Sequence, residues 1–429
     1  MQIHVVKAGV TLSDIAKFYN TTESAIASVN ALPAPYTLVV GEALVIPIVG
    51  SFYVVKEGDS LYQIATRYGL NYLELARINN LSPWQPLNIG MKLYIPPLPK
   101  ANIEVNAYAE PVGDEVSDNL KNSVTNVAPY LTYLATFSFQ VRRDGTLRRP
   151  PLDDFPTITR NNRVILMMVV TNLEEGLFSG ELGRVILENE ELQNTLIDNI
   201  INTANELNFR DVHFDFEFIP SELKDNYVRF LEKAKRRLEN EGFLMSVALA
   251  PKVSGEQAGQ WYEAHDYPRI GKIADFVVLM TYEWGYSAGP PLPVSPINEV
   301  RKVVEYAVST MPSTKILLGQ NLYGYNWTLP YVKNGDYAVA LSPISARNLA
   351  LNQGVEIQYD EVAQAPFFEY TDDQGNEHIV WFEDARSIQS KFDLIKEFNL
   401  RGISYWKLGL AFPQNWLLLN DNFNITKRG

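Results

Sequence analysis

Apolar residues recur at i, i+3, i+4 and i+7 in two early segments, Leu12, Ile15, Ala16, Tyr19 and Leu61, Ile64, Ala65, Tyr68. That spacing predicts one buried stripe on each of two short helices. The segments stand 49 residues apart (61 − 12 = 49), and the same offset relates Gly9 to Gly58, Asn30 to Asn79, Gly41 to Gly90 and Pro47 to Pro96. Ungapped matching of residues 5–47 with 54–96 indicates a duplicated module. Each copy reads as strand, helix, helix, strand. Val5-Val6 and Val54-Val55 begin a strand that stops at Gly9 or Gly58, and a closing strand ends at an Ile-Pro pair. Thr11-x-x-Asp14 and Ser60-x-x-Gln63 have the form of capping boxes at the start of the first helix. The second short helix (Ile26, Val29; Leu75, Ile78) ends near Asn30 or Asn79.

Beyond residue 100 the pattern changes to apolar runs alternating with helical stretches. Strands are predicted at 103–109, 133–139, 164–170, 212–218, 244–249, 276–281, 316–321 and 402–406. Helices are predicted at 192–207, 221–240, 297–310 and 388–398. In the second of these, Ser221 reads as N-cap, with Leu223, Tyr227, Leu231, Ala234 and Leu238 as the buried stripe. Eight strands with intervening helices predict an α/β fold, a (β/α)8 TIM barrel, with a doubly wound open sheet as the alternative. No Gly-rich turn follows the first strand to support a nucleotide site. About 80 residues separate the last two strands, far more than an ordinary loop. Short strands at 355–359, 367–370 and 379–382, with a turn at Asp373-Gln374-Gly375-Asn376, predict a small α+β insertion at about 323–385. The expected organisation is module one at 2–48, module two at 51–97, a stiff Pro96-Pro97-Leu98-Pro99 linker and a barrel over 101–429.

Composition narrows the chemistry. The formal net charge of −13 argues against a partner bound through nucleic-acid phosphates. With no cysteine there is no disulfide, thiolate nucleophile or cysteine metal site. The four histidines, His4, His213, His265 and His378, lack ligand spacing, so no metal and no cofactor is expected. No apolar stretch approaches membrane-spanning length, and the N-terminus carries no secretory signal pattern. A monomer is expected.

The run Val212-His213-Phe214-Asp215-Phe216-Glu217-Phe218 is where chemistry concentrates. On a strand, His213, Asp215 and Glu217 share one face and the three phenylalanines take the other. Two acids in an apolar strand are costly to bury unless they are paired or used. Alone, the pair is better explained as the polar end of a strand. At the C-terminal end of a barrel strand, facing the axis, it falls where catalytic groups of such folds sit.

Two resemblances follow from these residues. The Val-x-x-Gly-x-x-Leu opening, the Asn-x-Leu and the final Gly-x-x-Leu-x-Ile-Pro make residues 2–97 resemble a pair of LysM modules. That resemblance implies binding of glycans containing N-acetylglucosamine, such as peptidoglycan and chitin. The implied contacts are Gly9, Thr11, Leu12, Asn30 and Leu32 in one copy, and Gly58, Ser60, Leu61, Asn79 and Leu81 in the other. Two weak modules gain from effective concentration on a polymer.

The rest of the chain resembles glycoside hydrolase family 18. That family carries Asp-x-x-Asp-x-Asp-x-Glu on strand four, where this chain has Arg210-x-x-His213-x-Asp215-x-Glu217. Met280-Thr281-Tyr282-Glu283 stands for Met-x-Tyr-Asp, and Trp406 matches the tryptophan closing strand eight. The family's Ser-x-Gly-Gly on strand three is missing; Val170-Thr171-Asn172 stands near that place. The resemblance implies a retaining mechanism assisted by the substrate's acetamide. Glu217 would be acid and base, Asp215 would orient the acetamide, and Tyr282 would bond its oxygen. His213, Met280, Glu283, Trp406, Asn321 and Tyr323 would surround the sugar, with Trp406 stacked beneath it. His213 replaces an inner acid and is expected to hold Asp215 by a hydrogen bond. Over its whole length the chain resembles the spore cortex-lytic enzymes. This implies an N-acetylglucosaminidase of cortex peptidoglycan or its fragments, acting in germination. Its partners would be peptidoglycan strands held by the LysM pair and the barrel cleft, with no nucleic acid and no membrane span. Its location would be the coat/cortex boundary of the spore, reached without a signal peptide. A non-hydrolytic coat protein and a chitinase are the competing expectations.

Overall fold

The computed structural model describes residues 1–428, and these divide after Lys100 into two compact units. In the first unit each module pairs its opening and closing strands antiparallel, Gln2–Val5 with Ala43–Ile46 and Ser51–Val54 with Lys92–Ile95. Helices Leu12–Tyr19 and Glu23–Val29, or Leu61–Arg67 and Tyr72–Ile78, lie between them. Both capping boxes form, Thr11 with Asp14 and Ser60 with Gln63. The opening strands end at Val5 and Val54, short of the glycines. A turn closed by Val10 N–H to the Lys7 carbonyl, or by Asp59 N–H to that of Lys56, takes up the following residues. Its tip needs a left-handed residue, supplied by Gly9 (φ 78°) and Gly58 (φ 82°).

The second unit is a closed barrel. We number only its strands: β1 Ala101–Ala109, β2 Tyr133–Val141, β3 Ile165–Thr171, β4 Asp211–Asp215, β5 Leu244–Leu249, β6 Phe276–Leu279, β7 Ile316–Asn321 and β8 Gly402–Trp406. All pair in parallel, and β1 bonds both β8 and β2, so the ring has no free edge and the open-sheet alternative falls. Tyr108, Phe137, Met167, Val169, Phe276, Val278 and Leu317 pack together among the buried core residues. Phe214 meets Phe230 of helix Lys224–Asn240 edge to face (centroids 5.4 Å apart), and Phe216 stacks on Tyr227 of that helix at 5.9 Å. This apolar lock fixes which face of the 212–218 run turns inward.

Three expectations need correction. β4 stops at Asp215 rather than 218, because Glu217 N–H donates to the Asn172 side-chain carbonyl instead of to a neighbouring strand. β6 stops at Leu279, since Thr281 N–H turns back onto the Leu279 carbonyl. Ser221 does not cap the long helix: it opens a 3-10 turn, Ser221–Leu223, the helix starts at Lys224, and the Ser221 hydroxyl serves Glu263. Between β7 and β8 stands a five-stranded antiparallel sheet, with strands Gly324–Leu329, Val339–Leu341, Gln358–Asp360, Ala365–Thr371 and Glu377–Trp381. Its first two strands and the helix Pro343–Gln353 were not predicted from sequence.

Candidate active site

The exit of β4 carries the site. Glu217 lies two residues past the strand and is held by its backbone. The Asn172 amide accepts from Glu217 N–H at 2.9 Å and donates to the Glu217 carbonyl at 2.8 Å. One residue earlier, the Phe216 carbonyl meets Nε2 of His265 at 3.0 Å, while Nδ1 of that ring accepts Ala250 N–H at 2.8 Å. The acceptor role of Nδ1 puts the ring proton on Nε2. Phe218 then turns left-handed (φ 54°), which ends the strand direction and opens the cleft.

The cleft above has a volume of about 630 Å³ and is lined by Asp215, Glu217, Met280, Tyr282, Glu283, Trp261 and Trp406, among others. Trp406 is braced edge-on by Tyr108 and Phe137, with ring centroids 5.3 Å and 4.9 Å away. Burial pushes the Asp215 carboxyl up to about 7. Glu217 is driven well above the usual carboxylate range by burial and by the charge of Asp215, while a hydrogen bond from Trp261 pulls the other way. Burial and the two acids also raise Tyr282, which keeps its phenol protonated. Oδ1 of Asp215 is buried without a hydrogen-bond partner. A buried acceptor left open costs free energy unless something fills it. The site can therefore hold one protonated acid beside one acceptor in search of a donor.

The sequence-derived residues separate in space. Asp215, Glu217, Tyr282, Met280, Glu283 and Trp406 come together around the cleft. His213 does not reach it and makes no bond to Asp215: it is fully buried, with Nε2 2.8 Å from the Tyr108 hydroxyl and Nδ1 2.8 Å from Ser246 Oγ. Both ring nitrogens are spent, so the expected His213–Asp215 bond has no atom left to form it. Ser246 donates onward to Asp211 at 2.7 Å. With Asp211 ionised, Ser246 spends its proton there, and His213 donates from Nδ1 and accepts the Tyr108 proton at Nε2. Asn321 is also fully buried, donating to the Tyr323 carbonyl at 2.6 Å and accepting from Gln320 at 2.9 Å. It holds the β7 exit rather than a sugar. Tyr323 lies behind the wall, its hydroxyl bonded to Glu283. Among the described residues, no group of three or more His, Cys, Asp or Glu side chains is arranged to hold a metal ion.

Trp261 was not foreseen. It lies 44 residues from Glu217 in a loop without periodicity, yet its indole N–H donates to Glu217 Oε2 at 2.5 Å. Asn172 had been noted only by position. Two aromatic residues close after a barrel strand were the faint signal available for Trp261, since Trp261-Tyr262 follows β5.

In the modules, the loop glycines and the cap residues Thr11 and Ser60 are at the surface, but the remaining predicted contacts are mostly internal. Leu12, Leu32 and Leu61 are buried core residues, and Leu81 packs partly buried against the second core. Asn30 and Asn79 bond the closing strand through the Val45 and Tyr94 backbones, so they fasten helix to strand rather than face a glycan. Module two instead presents a groove of about 600 Å³ whose lining includes Ser60, Leu61, Tyr62, Tyr72 and Trp84. Tyr72 stands edge-on to both Tyr62 and Trp84, at 6.0 Å and 6.5 Å. The matched positions of module one hold Ser13, Glu23 and Pro35.

A parallel eight-stranded barrel with paired acids at the exit of β4, an aromatic floor at the end of β8 and two small glycan-module folds defines a carbohydrate-active enzyme. The chain belongs to the glycosyl hydrolases of family 18, whose family model matches residues 115–411, and residues 4–47 and 53–96 match the LysM domain. It is a glycoside hydrolase, and both kinds of domain imply binding of peptidoglycan-like or chitin-like glycans. It is 55% identical to the cortical fragment-lytic enzyme of Bacillus subtilis (strain 168), over 100% of this chain and 99% of that one. Crystal structures of the spore cortex-lytic enzyme SleL superpose closely. That of Bacillus megaterium has a TM-score of 0.92 at 53% identity, and that of Bacillus cereus 0.92 at 47%, each covering 100% of this chain and 99% of the other. Among the described residues no helix is long and apolar enough to cross a membrane.

Proposed function

We propose that this enzyme cleaves glycosidic bonds after N-acetylglucosamine in spore-cortex peptidoglycan or its fragments during germination, acting at the coat/cortex boundary. The names of its close relatives support the substrate. The chemistry rests on one observation above all: Asp215 and Glu217 share one buried cleft and are perturbed in a way that favours a proton on Glu217.

Protonated Glu217 gives its proton to the glycosidic oxygen as the C1–O bond breaks, and the bonding pair leaves with that oxygen. The substrate's acetamide oxygen forms the new bond to C1, giving an oxazolinium ion. Asp215, whose Oδ1 is an open buried acceptor, takes the acetamide N–H and offsets the positive charge. The Tyr282 phenol donates to the acetamide oxygen, and Trp406 lies under the ring. Water then attacks C1, its proton passes to Glu217, and the acetamide is restored. No protein carboxylate forms a bond to the sugar, so the separation of the two acids does not report stereochemistry.

Glu217→Gln should lower turnover of cortex fragments by on the order of 10³-fold while leaving glycan binding intact. Turnover equal to wild type would refute the assignment. Chitin oligomers offered beside cortex fragments separate a chitinase from a cortex enzyme, since the cortex reading requires faster cleavage of the fragments.

A further inference from the structure

We propose that Trp261 is the positioning residue for Glu217, its indole N–H occupying one carboxyl oxygen so that the other alone carries and exchanges the catalytic proton. The inference rests on Glu217 being the acid and base.

Trp261 Nε1–H donates to Oε2 at 2.5 Å, and Oε1 has no hydrogen-bond partner among the described residues. A protonated carboxyl has one O–H and one carbonyl oxygen. The carbonyl oxygen of a carboxylic acid is the better acceptor, so an indole N–H on Oε2 favours the form that carries its proton on Oε1. Indole nitrogen is a donor only, so it cannot take the proton itself. In the first half of the reaction Oε1–H protonates the leaving oxygen. In the second, ionised Oε1 accepts from water while Oε2 keeps its indole.

The ring is held firmly enough for this task. Phe218 stacks on it at 6.3 Å with planes 16° apart, and Tyr262 packs at 5.4 Å. Its loop, after β5, is tied to the β4 exit where His265 meets the Phe216 carbonyl. The Trp261 hydrogen bond favours the ionised acid, against burial and Asp215, which favour the protonated one. Removing the N–H therefore leaves the proton more tightly bound.

The test compares wild type with Trp261→Phe, which keeps an aromatic ring and loses the donor, on a chromogenic oligomer of N-acetylglucosamine. The basic limb of the kcat/KM profile, where Glu217 loses its proton, should move to higher pH. We expect kcat to fall by about tenfold or more with KM within about threefold, since geometry rather than sugar binding is lost. A limb and kcat both unmoved would overturn the proposal. Should the variant fail to fold, the full-length wild type labelled with ¹⁵N in its seven indoles gives a second reading. One indole N–H should titrate with the basic limb, and that titration should vanish in Glu217→Gln; no titrating indole overturns the proposal equally. If Glu217→Gln turns over like wild type, the assignment of the acid has failed. If that variant is inactive and Trp261→Phe is unmoved, only the role of Trp261 has failed.

Discussion

What stands beside Asp215 inside the barrel governs how charge is held there. His213 is buried with both nitrogens bonded, and burial lowers its pKa from 6.5 to about 3. The folded state therefore binds fewer protons than the unfolded one between those values. The contribution of this histidine is complete above pH 6.5 and is lost as pH falls toward 3. Asp211 acts with the opposite sign: its folded pKa is raised to about 7 from 3.8, so its effect lowers stability as pH rises through that interval. His213→Asn keeps hydrogen-bonding atoms but cannot titrate. Its denaturant-derived stability should lose the histidine slope, about 1.4 kcal/mol per pH unit, across pH 4–6 relative to wild type. Parallel curves would contradict the buried neutral ring. At this scale the sequence was partly legible. Alternation put Asp215 and Glu217 on the cleft side, but it could not show that a residue on the same face, His213, would be consumed below them.

Elements position the acid through backbone contacts that carry no sequence period. Asn172, just past β3, grips Glu217 on both its N–H and its carbonyl. Asn172→Ala frees that peptide, and a shift of about 1 Å at a catalytic group can cost on the order of 10²-fold. We expect kcat on cortex fragments to drop by that order with KM little changed; an unchanged kcat would show that Phe218 and His265 suffice. Gly180 opens the helix Gly180–Leu187, and a Cβ there would stand 2.5 Å from the Phe218 carbonyl oxygen. Gly180→Ala should push the β4 exit outward and destabilise the fold by about 1–3 kcal/mol, read as a lower thermal midpoint. The barrel strands were legible because apolar runs and helical stripes repeat. The insertion was legible chiefly as excess length: its first strand, Gly324–Leu329, mixes buried, half-buried and exposed positions in a run too irregular to declare a period.

For the whole molecule, the LysM pair and the glycosyl hydrolase barrel are separate compact units. The tandem offset made the duplication plain, yet matched residues turned out to be those that build each module, Asn30 and Asn79 included. The aromatics that differ between copies, exposed Tyr62 and Trp84 and half-buried Tyr72, escape a search for sameness. Trp84 is 80% exposed although Tyr72 stands edge-on to it, so most of its indole faces solvent. Trp84→Ala in the full chain should weaken retention on cortex peptidoglycan by roughly tenfold or more, while Pro35→Ala changes it little. Equal losses would assign the two modules equal weight. Turnover of small soluble oligomers should be the same in both variants.

The most direct measurement is mass spectrometry of cortex fragments digested by wild type and by Glu217→Gln. The account predicts new reducing ends at N-acetylglucosamine with the wild type and none with the variant. New ends at the muramic residue, or identical products from both proteins, would contradict it.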